Sequence, residues 1–173
     1  ETRHWKEISK ILQFEIRPGV EVSISTIIEH EGYNKIEDLE SVILKAEKER
    51  NYEEQFEKIK EQWISATATI EFIESCDLHI LTSFNEIFSL TDDMILKIEN
   101  ILSTRYATSV STQAQEVLKD IRLLQEIFRI CRTFQEKAVP LYSLFQVEDI
   151  RSILAPEARK FSAMVVIWRR FGL

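Results

Sequence analysis

The stretch 117–138, VLKDIRLLQEIFRICRTFQEKA, has a regular spacing of apolar residues that indicates a long helix. Seven residues of this stretch recur at alternating spacings of four and three: Val117, Ile121, Leu124, Phe128, Cys131, Gln135 and Ala138. This heptad pattern lasts about three repeats, which is short for a free coiled coil and typical of a helix in a bundle. The sequence therefore predicts a long helix over about 110–139. Pro140 is expected to end or kink it, because proline lacks the backbone donor that a helix needs.

Shorter helices are predicted on the N-terminal side of this stretch. Residues 3–12 show helical spacing, and Pro18-Gly19 is expected to end that helix. A short helix follows, with Ser25 as its N-cap and Gly32 as its stop. The segment 84–102 returns to helical spacing, with one apolar stripe made of Ile87, Leu90, Met94, Ile98 and Ile101.

One segment has the period of a strand. Residues 69–83 alternate apolar and polar side chains in two short runs that flank Cys76-Asp77, and this alternation predicts a β-hairpin. Only 3 Gly and 3 Pro are present, which favours long helices elsewhere. The expected fold class is therefore mainly α, as elongated stacked helical bundles with one short β-hairpin near residues 69–83. Two helical sub-bundles are expected, at about 1–103 and 104–173.

The segment 34–63 carries two apolar stripes in different registers. The first consists of Ile36, Leu39, Ile43 and Ala46, and the second of Tyr52, Phe56, Ile59 and Trp63. Because the register slips by one residue, this helix either bends near Asn51 or turns a new face to a new neighbour. The charged run 47–62 is expected to be a solvated face. Trp63 is expected to be buried where the helix meets the hairpin.

Composition excludes several classes of partner. The net charge of −7 argues against nucleic acid and anionic membranes, because an acidic protein gains nothing from phosphate contacts. The apolar run at 163–168 is far too short to span a bilayer. Since the sequence begins at Glu1 without an initiating methionine, we expect it to be part of a longer chain.

Motifs for nucleotide or metal chemistry are missing. The three glycines, Gly19, Gly32 and Gly172, are isolated, and none precedes a lysine as a phosphate-binding loop requires. The three histidines, His4, His30 and His79, fall on three different elements, which disfavours a zinc site. Glu1-x-x-His4 matches half of a di-iron motif, but the sequence contains no second copy. We therefore expect no catalytic residue, cofactor or metal.

Four further residues are candidates for chemistry. Cys131 lies on the apolar seam, where burial makes a thiol inert and raises its pKa. Cys76 lies in the predicted turn beside carboxylates that oppose a thiolate. Both are expected to be reduced, with a disulfide left open. Glu148 and Asp149 are interpreted as the start of a helix, with Asp149 as its N-cap, rather than as an acid–base pair or a metal site.

The segment after Asp149 predicts a last helix. Pro156 suits its first position, and Glu157 lies in its first turn, where the helix dipole favours a negative charge. Its apolar face is expected to consist of Phe161, Val165 and Trp168.

Several short motifs occur in a fixed order along the chain. They are Arg3-His4-Trp5, then Ala46-x-Lys48-Glu49 with Phe56, Ile59 and Trp63, then Asp92-Asp93, Thr104-x-Tyr106, Gln135, Leu141-x-x-x-Phe145, Asp149-Ile150, Leu154, Glu157 and Phe161. No single motif is specific, but the ordered set resembles the linker region of dynein heavy chains over nearly the whole chain.

The chain also departs from this family, which indicates a divergent member. The family has tryptophans where this chain has Val117, Cys131 and Ala138 on the long helix. Its helix continues where this chain has Pro140, and its Leu-Pro pair is replaced by Leu154-Ala155, with the proline shifted by one residue.

The resemblance implies mechanics rather than catalysis. The family's linker is a mostly helical rod that arches across a ring of AAA+ ATPase modules, and it bends and straightens as the first module cycles its nucleotide. The implied partners are the AAA+ ring of the same heavy chain and dynein-associated subunits. The implied location is the cytoplasm and cytoskeleton, including the axoneme of a cilium or flagellum. The alternative class is a generic helical-bundle scaffold or protein-interaction module.

Overall fold

The structure is a computed structural model that describes residues 2–17, 19 and 21–170. These residues form seven α-helices, one 3-10 helix and one antiparallel hairpin. In chain order the elements are α1 Thr2–Leu12, α2 Ile24–Glu29, the 3-10 helix Gly32–Lys35, α3 Ile36–Ser65, β1 Ile70–Ile73, β2 Leu78–Leu81, α4 Phe84–Leu102, α5 Ser111–Phe145, α6 Glu148–Ile153 and α7 Ala155–Arg170. The predicted class, mainly helical with one short β-hairpin, is confirmed. The hairpin pairs Ile70 with Leu81 and Ile73 with Leu78.

A first core lies where α3, α4 and α5 meet. Phe56 of α3, Met94 and Ile98 of α4, and Ile121 of α5 are fully buried there. The stripe predicted for α4 and the second stripe predicted for α3 therefore face one another, and α5 contributes Ile121 of its predicted seam together with Ala114 and Leu118. Trp63 packs against the margin of this core and is only partly buried. The expectation of a buried Trp63 beside the hairpin is wrong, because α3 ends two residues later and its last turn lies at the edge of the core.

The two halves of α3 face different neighbours. Val42 and Glu49, in the N-terminal half, are buried beside α1, whereas Phe56 and Ile59 are buried in the first core. The helix is continuous over 30 residues. Of the two alternatives predicted from the register slip, the structure therefore shows the second, in which the helix turns a new face to a new neighbour. Ile43, which was placed on the first stripe, is instead half exposed, because Val42 occupies the contact with α1.

The N-terminal helix boundaries differ from the predicted ones. The N-cap of α2 is Ser23, whose extended backbone lets Oγ accept a hydrogen bond from the Thr26 amide at 3.1 Å, so the assignment of Ser25 is wrong. Gly32 opens the 3-10 helix instead of ending α2. A Cβ at this position would lie 2.5 Å from Ile27 Cγ2, so close packing requires the glycine. The first helix already ends at Leu12, and Pro18 lies outside the described residues.

The helix before α7 also begins two residues earlier than predicted. Helix α6 begins at Glu148, and Val147 occupies the N-cap position with extended backbone, so the assignment of Asp149 as N-cap is wrong. Both carboxylates lie in the first turn of α6, where the helix dipole favours a negative charge without a capping hydrogen bond. Pro156 is the second residue of α7, one position later than predicted, and Glu157 lies in its first turn, as expected.

Helix α5 continues through Pro140 to Phe145, so of the two predicted alternatives an end near residue 139 is wrong, and a kink at Pro140 stays a prediction. The proline leaves the carbonyl of Glu136 without its helical partner. Glu136 and Pro140 are both exposed, so water can reach this face of the helix. Beyond the proline, Leu141, Tyr142 and Phe145 pack against buried residues of the hairpin and α7. This packing compensates for the lost hydrogen bond.

The division of the chain into sub-bundles near residue 103 stays a prediction. Helix α5, which follows that boundary, packs on α4, which precedes it, and also on β2. Both hydrophobic cores therefore contain residues from each side of residue 103.

We expect Phe56→Ala to destabilise the fold by about 3–5 kcal/mol, because it opens a cavity in the first core. Ile64→Ala is the matched control on the same helix, since Ile64 is 82% exposed. It should cost less than about 0.5 kcal/mol. Denaturant unfolding followed by circular dichroism measures both, and similar losses for the two variants would contradict the assignment of this core.

Candidate functional site

A second core lies where the hairpin packs against α5 and α7. Its buried members are Cys76, Leu78, Ala138, Phe161, Val165 and Trp168. The ring of Phe145 packs on that of Phe161 with centroids 5.3 Å apart, and Phe134 stacks on Trp168 at 4.6 Å. The last residue of α5 thus lies on the middle of α7, and Phe134, about three turns earlier in α5, lies near the end of α7. The two helices therefore run antiparallel, with α6 as their connection. The predicted apolar face of α7 is confirmed.

One edge of β2 is covered by side chains from α5 and α7. The Gln135 amide donates to the Leu81 carbonyl at 2.9 Å and accepts from the Leu81 N–H at 3.0 Å. Trp168 Nε1 donates to the carbonyl of His79 at 3.0 Å, and Arg169 donates to that of Asp77 at the same distance. Leu81 and His79 alternate along β2, as the outward backbone groups of one strand edge must, and Asp77 lies in the turn before β2. The hairpin is therefore fixed to both helices through its backbone.

Gln135 explains why a polar residue occupies the heptad seam. Its side-chain amide presents an N–H and a C=O side by side, as a neighbouring strand would, and the two pair with one buried backbone unit. A buried donor or acceptor without a partner costs about 1–3 kcal/mol. The sequence placed Gln135 on the seam but did not show this role. The feature of the sequence that could have indicated this role is a single amide side chain in an otherwise apolar series.

A second buried glutamine fixes α5 to α4. Gln125 donates to Thr91 Oγ1 at 2.8 Å and to Asp92 Oδ1 at 2.7 Å. Thr91 in turn donates to the carbonyl of Ile87 at 2.8 Å within α4. Gln125 was not predicted to be buried, because the heptad pattern assigns its neighbour Leu124 to the buried face. Helix α5 therefore carries one buried amide contact in each core.

A third polar contact joins α1 to α3. His4 Nε2 lies 2.7 Å from Glu49 Oε2, and both side chains are buried. Arg3 also pairs with Glu49 at 2.6 Å, and Lys45 donates to Glu7 at 2.8 Å. The hydrogen bond from Lys45 lowers the pKa of the Glu7 carboxyl. The charged run 47–62 was predicted to be a solvated face, and this prediction is wrong for Glu49, which is buried and pairs with Arg3 and His4 of α1.

The structure does not bring the other candidate residues together into a catalytic arrangement. His4, His30 and His79 lie on separate elements, and the described residues contain no group of three potential metal ligands. Burial raises the pKa of the Cys131 thiol, as expected. Cys76 is buried in the second core. Glu148 and Asp149 are exposed, and Glu1 lies outside the described residues.

None of the helices in the described part of the chain combines the length and apolarity that crossing a bilayer would require.

We expect Gln135→Ala to destabilise the fold by about 2–4 kcal/mol, because it leaves the N–H and the carbonyl of Leu81 buried without partners. Glu136→Ala is the adjacent control, since Glu136 is exposed and pairs only with Arg132 one turn earlier. It should cost less than about 0.5 kcal/mol. Hydrogen exchange at Leu81 should also accelerate in Gln135→Ala alone, and unchanged exchange there would contradict this contact.

Comparison with known proteins identifies the family. Residues 1–172 match the family described as dynein heavy chain, N-terminal region 2. The chain is 26% identical over 168 residues to dynein axonemal heavy chain 3 of Homo sapiens, a match that covers 96% of this chain and 4% of the relative. It is 24% identical over 168 residues to human dynein axonemal heavy chain 1, and this match covers 97% of this chain and 4% of the relative.

Dynein axonemal heavy chain 5 of Mus musculus is 24% identical over 169 residues, again covering 96% of this chain and 4% of the relative. The chain thus spans a small part of the length of these relatives, and the matched part is the mainly helical segment described above. It belongs to the dynein heavy chain family, as its N-terminal region 2.

Proposed function

We propose that this chain is part of the linker of a dynein heavy chain and acts as a lever that transmits conformational changes of the AAA+ ring. The observation that carries the proposal is that one helix, α5, lies in both hydrophobic cores. At 1.5 Å per residue its 35 residues span about 50 Å. A displacement of one core is therefore carried to the other along a single helix, without an intervening loop.

Buried contacts at both ends support this role. In the first core Ala114, Leu118 and Ile121 pack against α3 and α4, and Gln125 adds its hydrogen bonds to α4. In the second core Gln135 holds β2 while Phe134 stacks on Trp168. Close-packed side chains resist sliding and rotation of the helix, because interiors have low compressibility. Such attachment is what a lever needs in order to move its two ends together.

The proposed partner in cis is the AAA+ ring of the same heavy chain, with dynein-associated subunits as partners of the whole motor. The relatives named above are axonemal heavy chains, which supports an axonemal location in a cilium or flagellum. The ATP-binding modules would belong to other parts of the heavy chain, so this segment itself would have no enzymatic activity. The alternative, a scaffold or interaction module, is favoured by exposed apolar residues on α5 such as Leu123 and Ile130.

If α5 acts as a lever, making it more flexible between the two cores should reduce microtubule movement more than ATP hydrolysis. Glu126 and Arg129 are exposed and pair with each other at 3.2 Å in the part of α5 that lies between the two cores. Replacing both with glycine costs the helix about 2 kcal/mol relative to alanine, because glycine is a weak helix former. In the parent heavy chain, we expect Glu126→Gly/Arg129→Gly to slow microtubule gliding more than it slows ATP hydrolysis.

The matched control is Glu126→Ala/Arg129→Ala, which removes the same two side chains and keeps a strong helix former at each position. It should glide close to the parent speed. If the glycine and alanine variants glide equally well, the lever function is wrong and the scaffold function is favoured.

A further inference from the structure

A pocket with a polar lining lies where the end of α5 meets α6 and α7. Its volume is about 230 Å³. The polar side chains that line it are Tyr142 of α5, the C-cap residue Gln146, Arg151 of α6, and Ser162 and Arg169 of α7. The described residues around it include no aspartate or glutamate. A pocket with two guanidinium groups and no carboxylate in its lining attracts an anion.

Arg151 lacks the carboxylate partner that most arginines in the described part of the chain have. Arg50, Arg122 and Arg132, for example, each pair with a glutamate. The Arg151 side chain forms no ion pair or hydrogen bond with the described residues, although Glu148 lies one turn before it in α6. A guanidinium group offers five N–H donors in a planar fork that matches a phosphate group. Arg151 is thus available to a ligand in the pocket.

The hairpin and the second core hold two further donors in place. Arg169 Nη2 donates to the backbone carbonyl of Asp77 at 3.0 Å and to Asp77 Oδ2 at 2.6 Å, which leaves the N–H groups on its other nitrogens. The Tyr142 ring packs against that of Phe161 with centroids 6.4 Å apart. Because Asp77 offsets part of the charge of Arg169, Arg151 supplies most of the attraction for an anion. Donors that are already positioned reduce the entropic cost of binding.

The surroundings of the pocket also favour an anion. Ala158, Phe161 and Val165 line it and are buried, and hydrogen bonds to charged groups are stronger beside such apolar surface than in bulk water. Residues 151–170 carry five basic side chains and one acidic side chain, although the whole chain has a net charge of −7. This part of the chain therefore departs from the acidic character of the rest.

We propose that this pocket binds a phosphate group, with Arg151 as the main binding residue and Arg169, Tyr142 and Gln146 as further donors. A phosphate dianion suits two guanidinium groups better than a carboxylate does, because it carries more negative charge and more acceptor oxygens. The bound group joins the end of α5 to α6 and α7, so it stabilises the connection between the two longer helices. This site does not depend on the lever function.

Hydrogen exchange followed by mass spectrometry tests this site in the nucleotide-free parent heavy chain. Exchange in the peptides that cover residues 142–154 is compared between inorganic phosphate and sodium chloride of equal ionic strength. We expect about 20 mM phosphate to slow this exchange about threefold or more, as a Kd of about 10 mM or tighter predicts when the ligand must leave before the segment opens. Equal exchange in phosphate and in chloride would overturn the proposal.

Two arginine variants separate the pocket from general charge effects. Arg151→Gln should abolish the slowing by phosphate, because it removes the guanidinium group that has no other partner. Arg159→Gln is the matched control, since it removes the same charge from an exposed residue of α7 that does not line the pocket. It should keep the slowing. Slowing that persists in Arg151→Gln, or that is lost equally in Arg159→Gln, would show that phosphate acts elsewhere or through net charge alone.

Two further probes define the ligand. Acetate at the same concentration should slow exchange much less than phosphate, and an equal effect of the two would contradict the choice of phosphate over a carboxylate. O-phosphoserine distinguishes two sources of the same phosphate group. If it acts at a lower concentration than inorganic phosphate, the ligand is a phosphorylated protein side chain. If inorganic phosphate acts at the lower concentration, the ligand is the free ion, and either result supports the site.

Discussion

Both hydrophobic cores include residues of α5, so the packing of the chain requires this helix to be continuous. Helices α3 and α4 and the first half of α5 bury one set of side chains, and the hairpin, α7 and the second half of α5 bury another. If α5 ended at Pro140, the aromatic residues Tyr142 and Phe145 would leave the second core, and α7 would lose its contacts with them. The helix continues because the proline is exposed and because the turn beyond it is packed.

Polar contacts decide how the elements are aligned on α5. Apolar packing is non-directional, so it brings the hairpin to the helix without fixing its position along the axis. The two hydrogen bonds between Gln135 and the backbone of Leu81 fix that position, since sliding by one residue would leave buried groups unpaired. Gln125 aligns α4 in the same way through Thr91 and Asp92. The proposed lever requires such alignment, because elements that slide along α5 would not move together with it.

Sequence patterns predicted the elements better than their ends. The stripe of α4, the hairpin and the apolar face of α7 were predictable because burial on one side leaves a strict period in the sequence. The N-caps at Ser23 and Val147 and the passage through Pro140 were not, since local signals at Ser25, Asp149 and Pro140 favoured other boundaries and tertiary packing overrode them. The contacts of Gln125, Gln135 and the His4–Glu49 pair join residues from distant parts of the sequence, so no local pattern could reveal their partners.

The distance across Pro140 tests the continuity of α5 most directly. Spin labels at Lys119→Cys and Ser143→Cys, both exposed positions, would be used in a chain whose Cys76 and Cys131 are replaced by alanine. Electron paramagnetic resonance should give one narrow distribution, with the two backbone positions about 36 Å apart at a helical rise of 1.5 Å per residue. A broad distribution, or a mean that is shorter by about 10 Å or more, would show that α5 bends sharply or breaks. A break before Phe134 would mean that the two cores are not joined by one helix, whereas a break at Pro140 would remove only Leu141, Tyr142 and Phe145 from the second core.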